Sequence, residues 1–375
     1  MDLSFQIERL LNSFSMTSEW GCIPLPSNWD HARYLPNKWK DYIEVLPNSL
    51  NERSYQKWVN DLPDLRPESL PTDRMAWEAW MRMLSMIAHA GLVRISDWKE
   101  HGVPARIAVP WYATAQELNR PTVIGHPSLV LFNGKHLADS DDYSLASVGV
   151  DGQFLPDPDE AWFYRITWQI ERLGAFIHVS LAQLALMKDA GEEDAFVSIL
   201  GGIDRQLAIV ISMLNRMYDG CDPAVFYHKI RPYLSGFEGL QFRGLEGQPR
   251  LTFAGGSAAQ SSLLQALDAG LGGASPESGH PFLKEMRAYM DPGHRSWVAW
   301  LEAHPLGSCL RKSSGPVRQA WLETLERVVQ FRNEHLKMVA TYILQFSEKA
   351  PGTGGTAPDV FLRTVRNRTR KVMDQ

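Results

Sequence analysis

Cysteine is scarce. Three occur in 375 residues, Cys22, Cys221 and Cys309, an odd number at wide spacing. They support neither a disulfide framework nor a cysteine-ligated zinc or iron–sulfur site, and the lack of a CxxCH run excludes covalent c-type haem attachment. A reducing compartment fits best. An excess of one charge is also lacking: 38 basic against 43 acidic side chains leave −5, which argues against a nucleic-acid partner. The most apolar long window, residues 196–214, is broken by Asp204 and Arg205, whereas a membrane span needs about 20 nearly uninterrupted apolar residues. The opening MDLSFQIERLLNSF has neither the basic start nor the apolar run of a signal peptide and reads as a helix. A cytoplasmic protein with no membrane partner is expected. HExxH, GxSxG, CxxC, kinase catalytic-loop, GxGxxG and P-loop patterns are missing, so zinc-enzyme, hydrolase, kinase and nucleotide-binding readings have no anchor.

What is present is a 44% hydrophobic, 22% charged chain long enough for two domains and a sizeable core. Apolar residues recur at helical spacing over 73–96, 158–188, 193–218, 259–271, 281–290 and 315–347, and only short stretches such as RIAVPWY (106–112) read as strands. The fold class expected is mainly α. Pro and Gly punctuation at 102–127 suggests a smaller, mostly helical N-terminal domain over 1–122 and a large all-α domain over 123–375. A second Gly-rich stretch, 350–357, precedes a final helix whose Arg363, Arg366, Arg368, Arg370 and Lys371 read as a solvated cationic face. The 13 Trp fit either a flat ligand or a large helical core, and the core is the expected place for most of them.

Three segments carry possible chemistry. His335 interrupts an apolar stripe of Trp321, Leu325, Val328, Phe331, Val339 and Tyr342. By itself it reads first as a core histidine satisfied by a carbonyl or carboxylate, and second as an axial metal ligand with Nδ1–H held by an acceptor. The run FAGGSAAQ (253–260) allows close backbone approach, either to a large flat ligand or to another helix. In CDPAVFYHKIRPYLSGFEG, Phe226 and Arg231 lie five apart near an element end. Arg231 either offers a fork for a carboxylate or forms a surface ion pair with an acid such as Glu238.

Taken together, CDPAVFYHKIRPYLSGFEG, FAGGSAAQSS, FLKEMRAYMDPGHRSWVAWLE, FRNEHLKMVATYIL and GTGGT resemble the indoleamine 2,3-dioxygenase family in order and spacing, with GCIPLP, IAVPWY and LVLFNGK extending the likeness through the N-terminal half. The resemblance implies a haem b bound without covalent attachment, with His335 of the RxxH pattern as iron ligand. Arg332 and Asp268 would lie beside the propionate and proximal helix, and Leu214, Met217, Val339 and Ile343 would be apolar haem contacts. It implies a substrate pocket of Phe163, Thr167, Phe226, Arg231, Leu234, Gly256, Ser257, Ala258 and Thr353, together with His126 and Leu129. Arg231 would hold the carboxylate of a tryptophan-like substrate, Phe163 and Phe226 would bracket the indole, and Thr353 would close a loop over the amino acid. The implied reaction inserts O2 across the indole C2–C3 bond to give an N-formylkynurenine-type product. A reductant would keep the iron ferrous, and the protein would be a monomer or weak oligomer.

Measured against that family pattern, Thr167 replaces a serine, His126 a tyrosine, Leu129 a cysteine and Ala259 a glycine. These departures bear on the natural substrate and leave room for a haem-dependent tryptophan monooxygenase or indole-rearranging enzyme on the same scaffold. A separate alternative is a haem or gas binder without turnover, against which Arg231 and the GTGGT loop argue.

Overall fold

The computed structural model describes residues 2–49, 51–65, 71–137, 143–188, 191–245, 247, 250–272, 281–304, 306–347, 352–353 and 357–374. It is 69% helical, with two small antiparallel two-stranded sheets among the described residues, and the fold is therefore mainly α. The N-terminal part carries α1 (Leu3–Asn12), α2 (Tyr42–Asn48), α3 (Glu52–Asp61), α4 (Arg74–Arg94), α5 (Ser96–His101) and α6 (Ala105–Glu117). The next stretch contains β1 (Gly134–His136), β2 (Val148–Val150), α7 (Pro158–Leu173), α8 (Ala175–Met187) and α9 (Glu193–Asn215). Two short helices follow, α10 (Pro223–Val225) and α11 (Arg231–Leu234), then β3 (Phe237–Leu240) and β4 (Leu251–Phe253). The chain ends with α12 (Ser262–Leu271), α13 (Pro281–Met286), α14 (Pro292–Ala303), α15 (Leu306–Lys312), α16 (Gly315–Val339) and α17 (Pro358–Met373).

Local chemistry explains the main boundaries. Asp73 caps α4 by accepting from Met75 N at 2.9 Å and Ala76 N at 3.3 Å, and Ser261 caps α12 through Leu264 N. At the other end of α12, Gly272 is left-handed at φ 72°, and its backbone meets that of Gly307, so neither position has room for a side chain. Two local expectations need correction. RIAVPWY lies inside α6, because Ile107, Trp111 and Ala115 follow a four-residue step and are buried. The single helix expected over 158–188 breaks at Gly174, where a Cβ would come within 2.7 Å of Leu263 Cδ2 on α12.

α16 lies along α9 and α17 and forms the spine of the larger bundle. Its Arg327 pairs with Asp204 of α9 at 2.9 Å, which gives the charge that interrupts the apolar window a partner on the neighbouring helix. The runs 158–187 and 193–219 are long and apolar enough by composition to cross a membrane, and both pack within this bundle. One hydrophobic cluster extends from Ile7 to Tyr342. It holds the buried tryptophans, among them Trp20, Trp39, Trp98, Trp111, Trp297 and Trp321, and no tryptophan borders the main cavity among the described residues.

Candidate functional site

The bundle encloses a cavity of about 240 Å³ with a smaller one of about 60 Å³ beside it. Each wall follows from helix periodicity. On α7, Phe163, Thr167, Ile170 and Glu171 fall at i, i+4, i+7 and i+8, so one face turns inward. On α16, Phe331, His335, Met338 and Val339 do the same. Three π-helical turns border the cavity: Pro127–Leu131, Phe226–Ile230 and Ala340–Leu344. They bring in Leu129, Phe226, Tyr342 and Ile343; such turns shift a helix face by one residue and cluster at functional sites.

His335 stands in the wall shared by the two cavities. It makes no hydrogen bond among the described residues, so the carbonyl or carboxylate partner that the core-histidine reading requires is not found there. The expected acceptor for Nδ1–H is likewise not seen. Burial alone lowers its pKa to about 4, leaving a neutral imidazole with a free lone pair. Three residues earlier, Arg332 donates to Asp268 of α12 and to Thr369 Oγ1 of α17, and both Arg332 and Asp268 border the smaller cavity.

The remaining residues singled out in the sequence also meet here. Leu214 and Met217 close the end of α9, and Arg231 and Leu234 come from α11. Arg231 is half-buried, with its guanidinium 5.2 Å from the Tyr227 ring centre. Phe163 and Phe226 touch each other, with ring centres 5.0 Å apart. They form one aromatic wall; bracketing a flat ring from both sides would need about 7 Å between them. Gly256, Ser257 and Ala258 also line the cavity, and a Cβ on Gly256 would come within 2.7 Å of Leu129 Cδ1.

Gly255 and Gly236 pack back to back, allowing Gly256 N to donate to Leu234 O at 3.0 Å and Gly255 N to Thr353 O at 2.9 Å. Thr353 Oγ1 donates to Gly256 O, so Gly352 and Thr353 are fastened to the cavity rim. Residues 354–356 of the GTGGT run lie outside the described residues.

His126 and Thr167 complete the polar lining. Thr167 Oγ1 donates back into α7, to Tyr164 O at 2.9 Å, which leaves only its lone pairs for a ligand. His126 Nε2 lies 2.9 Å from Glu171 Oε1, which also accepts from Ser261 Oγ at 2.5 Å. Glu171 escaped the sequence reading although its spacing from Thr167 and Phe163 places it on their face of α7; a lone acid on an apolar face was the available signal. Phe361 and Leu362 of α17 also border the cavity and carry no local motif.

The residues suit a macrocyclic metal cofactor better than a bare ion. No cluster of three or more His, Cys, Asp or Glu able to hold a metal ion occurs among the described residues. One neutral imidazole, unpartnered among the described residues, between two largely apolar spaces is what an iron with four ligands of its own requires.

The family pattern for indoleamine 2,3-dioxygenase matches residues 10–372. The chain is 28% identical to indoleamine 2,3-dioxygenase 1 of Mus musculus, over 90% of each chain. It is 30% identical to the Saccharomyces cerevisiae indoleamine 2,3-dioxygenase, over 82% of this chain and 74% of the yeast protein. To a 6-hydroxytryptophan 2,3-dioxygenase of Fusarium equiseti it is 26% identical, over 89% of this chain and 91% of that one. With that pattern matched along nearly its whole length, the chain belongs to the indoleamine 2,3-dioxygenase family, haem-dependent oxidoreductases that act on indoles with O2.

Proposed function

We propose that the protein binds haem b through His335 and cleaves the pyrrole ring of L-tryptophan or a close indole analogue, giving an N-formylkynurenine-type product. The observation that carries this reading is His335, a neutral imidazole without a partner among the described residues, at the junction of two cavities. When bound and kept ferrous by a reductant, haem supplies the activation of O2 that no protein side chain can provide.

The chain's own residues do the binding and orienting. The haem faces would rest on Leu214, Met217, Val339 and Ile343, and Arg332 with Asp268 would fix α16 against α12 one turn from the ligand. The substrate carboxylate would take the Arg231 fork, which is half-buried and therefore only partly screened by water. The indole would lie against the Phe163–Phe226 wall, with its N–H directed to the Thr167 hydroxyl oxygen. Leu129, Leu234 and the Gly256–Ala258 backbone would form an apolar enclosure, and Thr353 would hold the rim closed and exclude water. No acid–base pair is needed, in keeping with the missing hydrolytic motifs.

The test is incubation of the ascorbate-reduced, haem-loaded protein with L-tryptophan in air. The expected product carries two added oxygen atoms and formylkynurenine absorbance. A single added oxygen would instead identify a monooxygenase, and reversible gas binding without turnover of any indole would identify a haem carrier. For the ligand, His335→Ala should lose the haem or its axial-ligand spectrum; an unchanged spectrum would refute the assignment.

A further inference from the structure

His89 lies on α4 and borders neither cavity. It is 2% exposed and caged by rings, with the centre of Trp111 6.0 Å away, edge-on, and that of Phe237 6.2 Å away. Both of its ring nitrogens are committed. Ile124 N–H donates to Nε2 at 3.1 Å, so Nε2 holds a lone pair. Nδ1 lies 3.1 Å from Tyr233 O, a carbonyl that can only accept, so Nδ1 carries the proton. The two partners fix one neutral tautomer, in keeping with the burial that lowers the pKa to about 4.

Each partner leads into the cavity wall. α11 is a single turn, Arg231–Leu234, too short to satisfy its own carbonyls. Its end is tied from two sides: Leu234 O accepts from Gly256 N at 3.0 Å on the rim, and Tyr233 O accepts from His89 on α4. The Tyr233 side chain is held from the same helix, its hydroxyl accepting from Arg94 Nε at 3.2 Å while its ring stacks on Phe154 at 4.7 Å. Arg231 stands two residues before Tyr233, and Ile124 stands two residues before His126. The segments that carry two of the polar groups of the main cavity therefore meet at one imidazole from the N-terminal part of the chain.

We propose that His89 is a positioning residue for substrate recognition: by holding Tyr233 O it fixes the backbone that aims Arg231, so that affinity for the carboxylate of an amino-acid substrate is set from α4, outside the cavity. This rests on the proposed pairing of Arg231 with that carboxylate. A guanidinium fork meets a carboxylate well only in a narrow geometry, which a four-residue helix with a released end does not hold. The Ile124 bond steadies a stretch of wall that tryptophan and tryptamine both meet, so its loss weakens the two ligands alike.

The two bonds can be separated by substitution. In His89→Gln the amide oxygen reaches the place of Nε2 and retains Ile124 N–H, with Tyr233 O released; in His89→Asn the amide nitrogen stands in the place of Nδ1 and retains Tyr233 O, with Ile124 N–H released. Dissociation constants of tryptophan and tryptamine are measured by equilibrium dialysis on the reduced, haem-loaded protein under nitrogen, beside Arg231→Ala. His89→Gln should weaken tryptophan relative to tryptamine by about three- to tenfold, the scale of one neutral hydrogen bond. His89→Asn should leave the ratio of the two constants at its wild-type value, and in the Arg231→Ala background His89→Gln should move it no further. A purely structural His89 would lower Tm and weaken both ligands together with the ratio unmoved, which overturns the inference. So does an equal change of ratio in the Gln and Asn variants, because the Tyr233 bond is then not its source. If Arg231→Ala moves the ratio and His89→Gln does not, only the inference fails; if Arg231→Ala leaves it unmoved, the carboxylate site fails and the inference fails with it.

Discussion

Arg332 is 7% exposed and joins three helices around the smaller cavity. It donates to Asp268 on α12, and to Thr369 Oγ1 and Val365 O on α17, the last at 3.3 Å. Arg332→Met keeps most of the side-chain volume but strands Asp268, 9% exposed, without its counter-ion. Breaking a buried pair from one side costs about 3–5 kcal/mol, whereas replacing both partners with apolar groups is often neutral. Unfolding entropy of about 2.1 cal/mol/K per residue over 375 residues is roughly 0.8 kcal/mol/K, so the single variant should lose about 4–6 °C in Tm. Arg332→Met/Asp268→Leu should recover most of that loss. The assay is thermal and urea unfolding of the haem-free protein followed by circular dichroism, because bound cofactor would add its own stabilisation. Haem retention, measured separately, should fall in the single variant, since His335 lies one turn away on α16. A single variant within about 1 kcal/mol of wild type would refute the reasoning, as would strict additivity in the double variant.

Arg231→Ala should raise KM for tryptophan by about ten- to a hundredfold, the scale of a charge-assisted hydrogen bond, with a smaller change for tryptamine, which has no carboxylate; equal effects on both would remove Arg231 from the carboxylate site. Gly255→Ala would place a Cβ 2.1 Å from Leu234 O and 2.5 Å from Gly236 N, breaking two backbone hydrogen bonds at the cavity rim. Its urea midpoint should correspond to a loss of about 2–4 kcal/mol, while Gly201→Ala on α9, with no neighbour of its Cβ closer than 3.4 Å, should be neutral or stabilising. Burial lowers the pKa of His31, His89, His178 and His294 to about 4. Between pH 6.5 and 4 the unfolded chain binds protons that the folded protein refuses, so the stability present above pH 6.5 is lost as pH falls, at about 1.4 kcal/mol per unit for each histidine. Glu160, which burial pushes up to about 7, works in the opposite sense and offsets about one of them. A flat Tm profile of the haem-free protein from pH 6.5 to 4.5 would contradict this.

The helices could be read directly because a repeat of three or four residues, an Asp or Ser cap and a terminal glycine are local properties of the chain. So could the identity of the residues around the cavity: every position singled out by the family pattern, from His126 to Thr353, borders one of the two adjoining cavities. What each side chain does within that space was decided by contacts between distant segments. Residues 106–112 are too short a run to reveal whether they will pair or coil; the four-residue step Ile107, Trp111 and Ala115, which extends beyond them, marks the helix that packs on α4. The close packing at Gly174 involves Leu263, 89 residues further along. Phe163 and Phe226 both belong to the aromatic surface, but only their 5.0 Å approach shows that they share one wall. Sequence alone singled out His335 and left it between core residue and ligand, because nothing along α16 tells whether a carbonyl from another helix will reach its ring; the packed bundle brings none among the described residues. The same holds for His126, whose chemistry is set by a carboxylate 45 residues away. Which groups are available follows from composition and spacing. Which lone pairs and protons remain free for a ligand follows from burial and long-range hydrogen bonding, and those exist only in the folded chain.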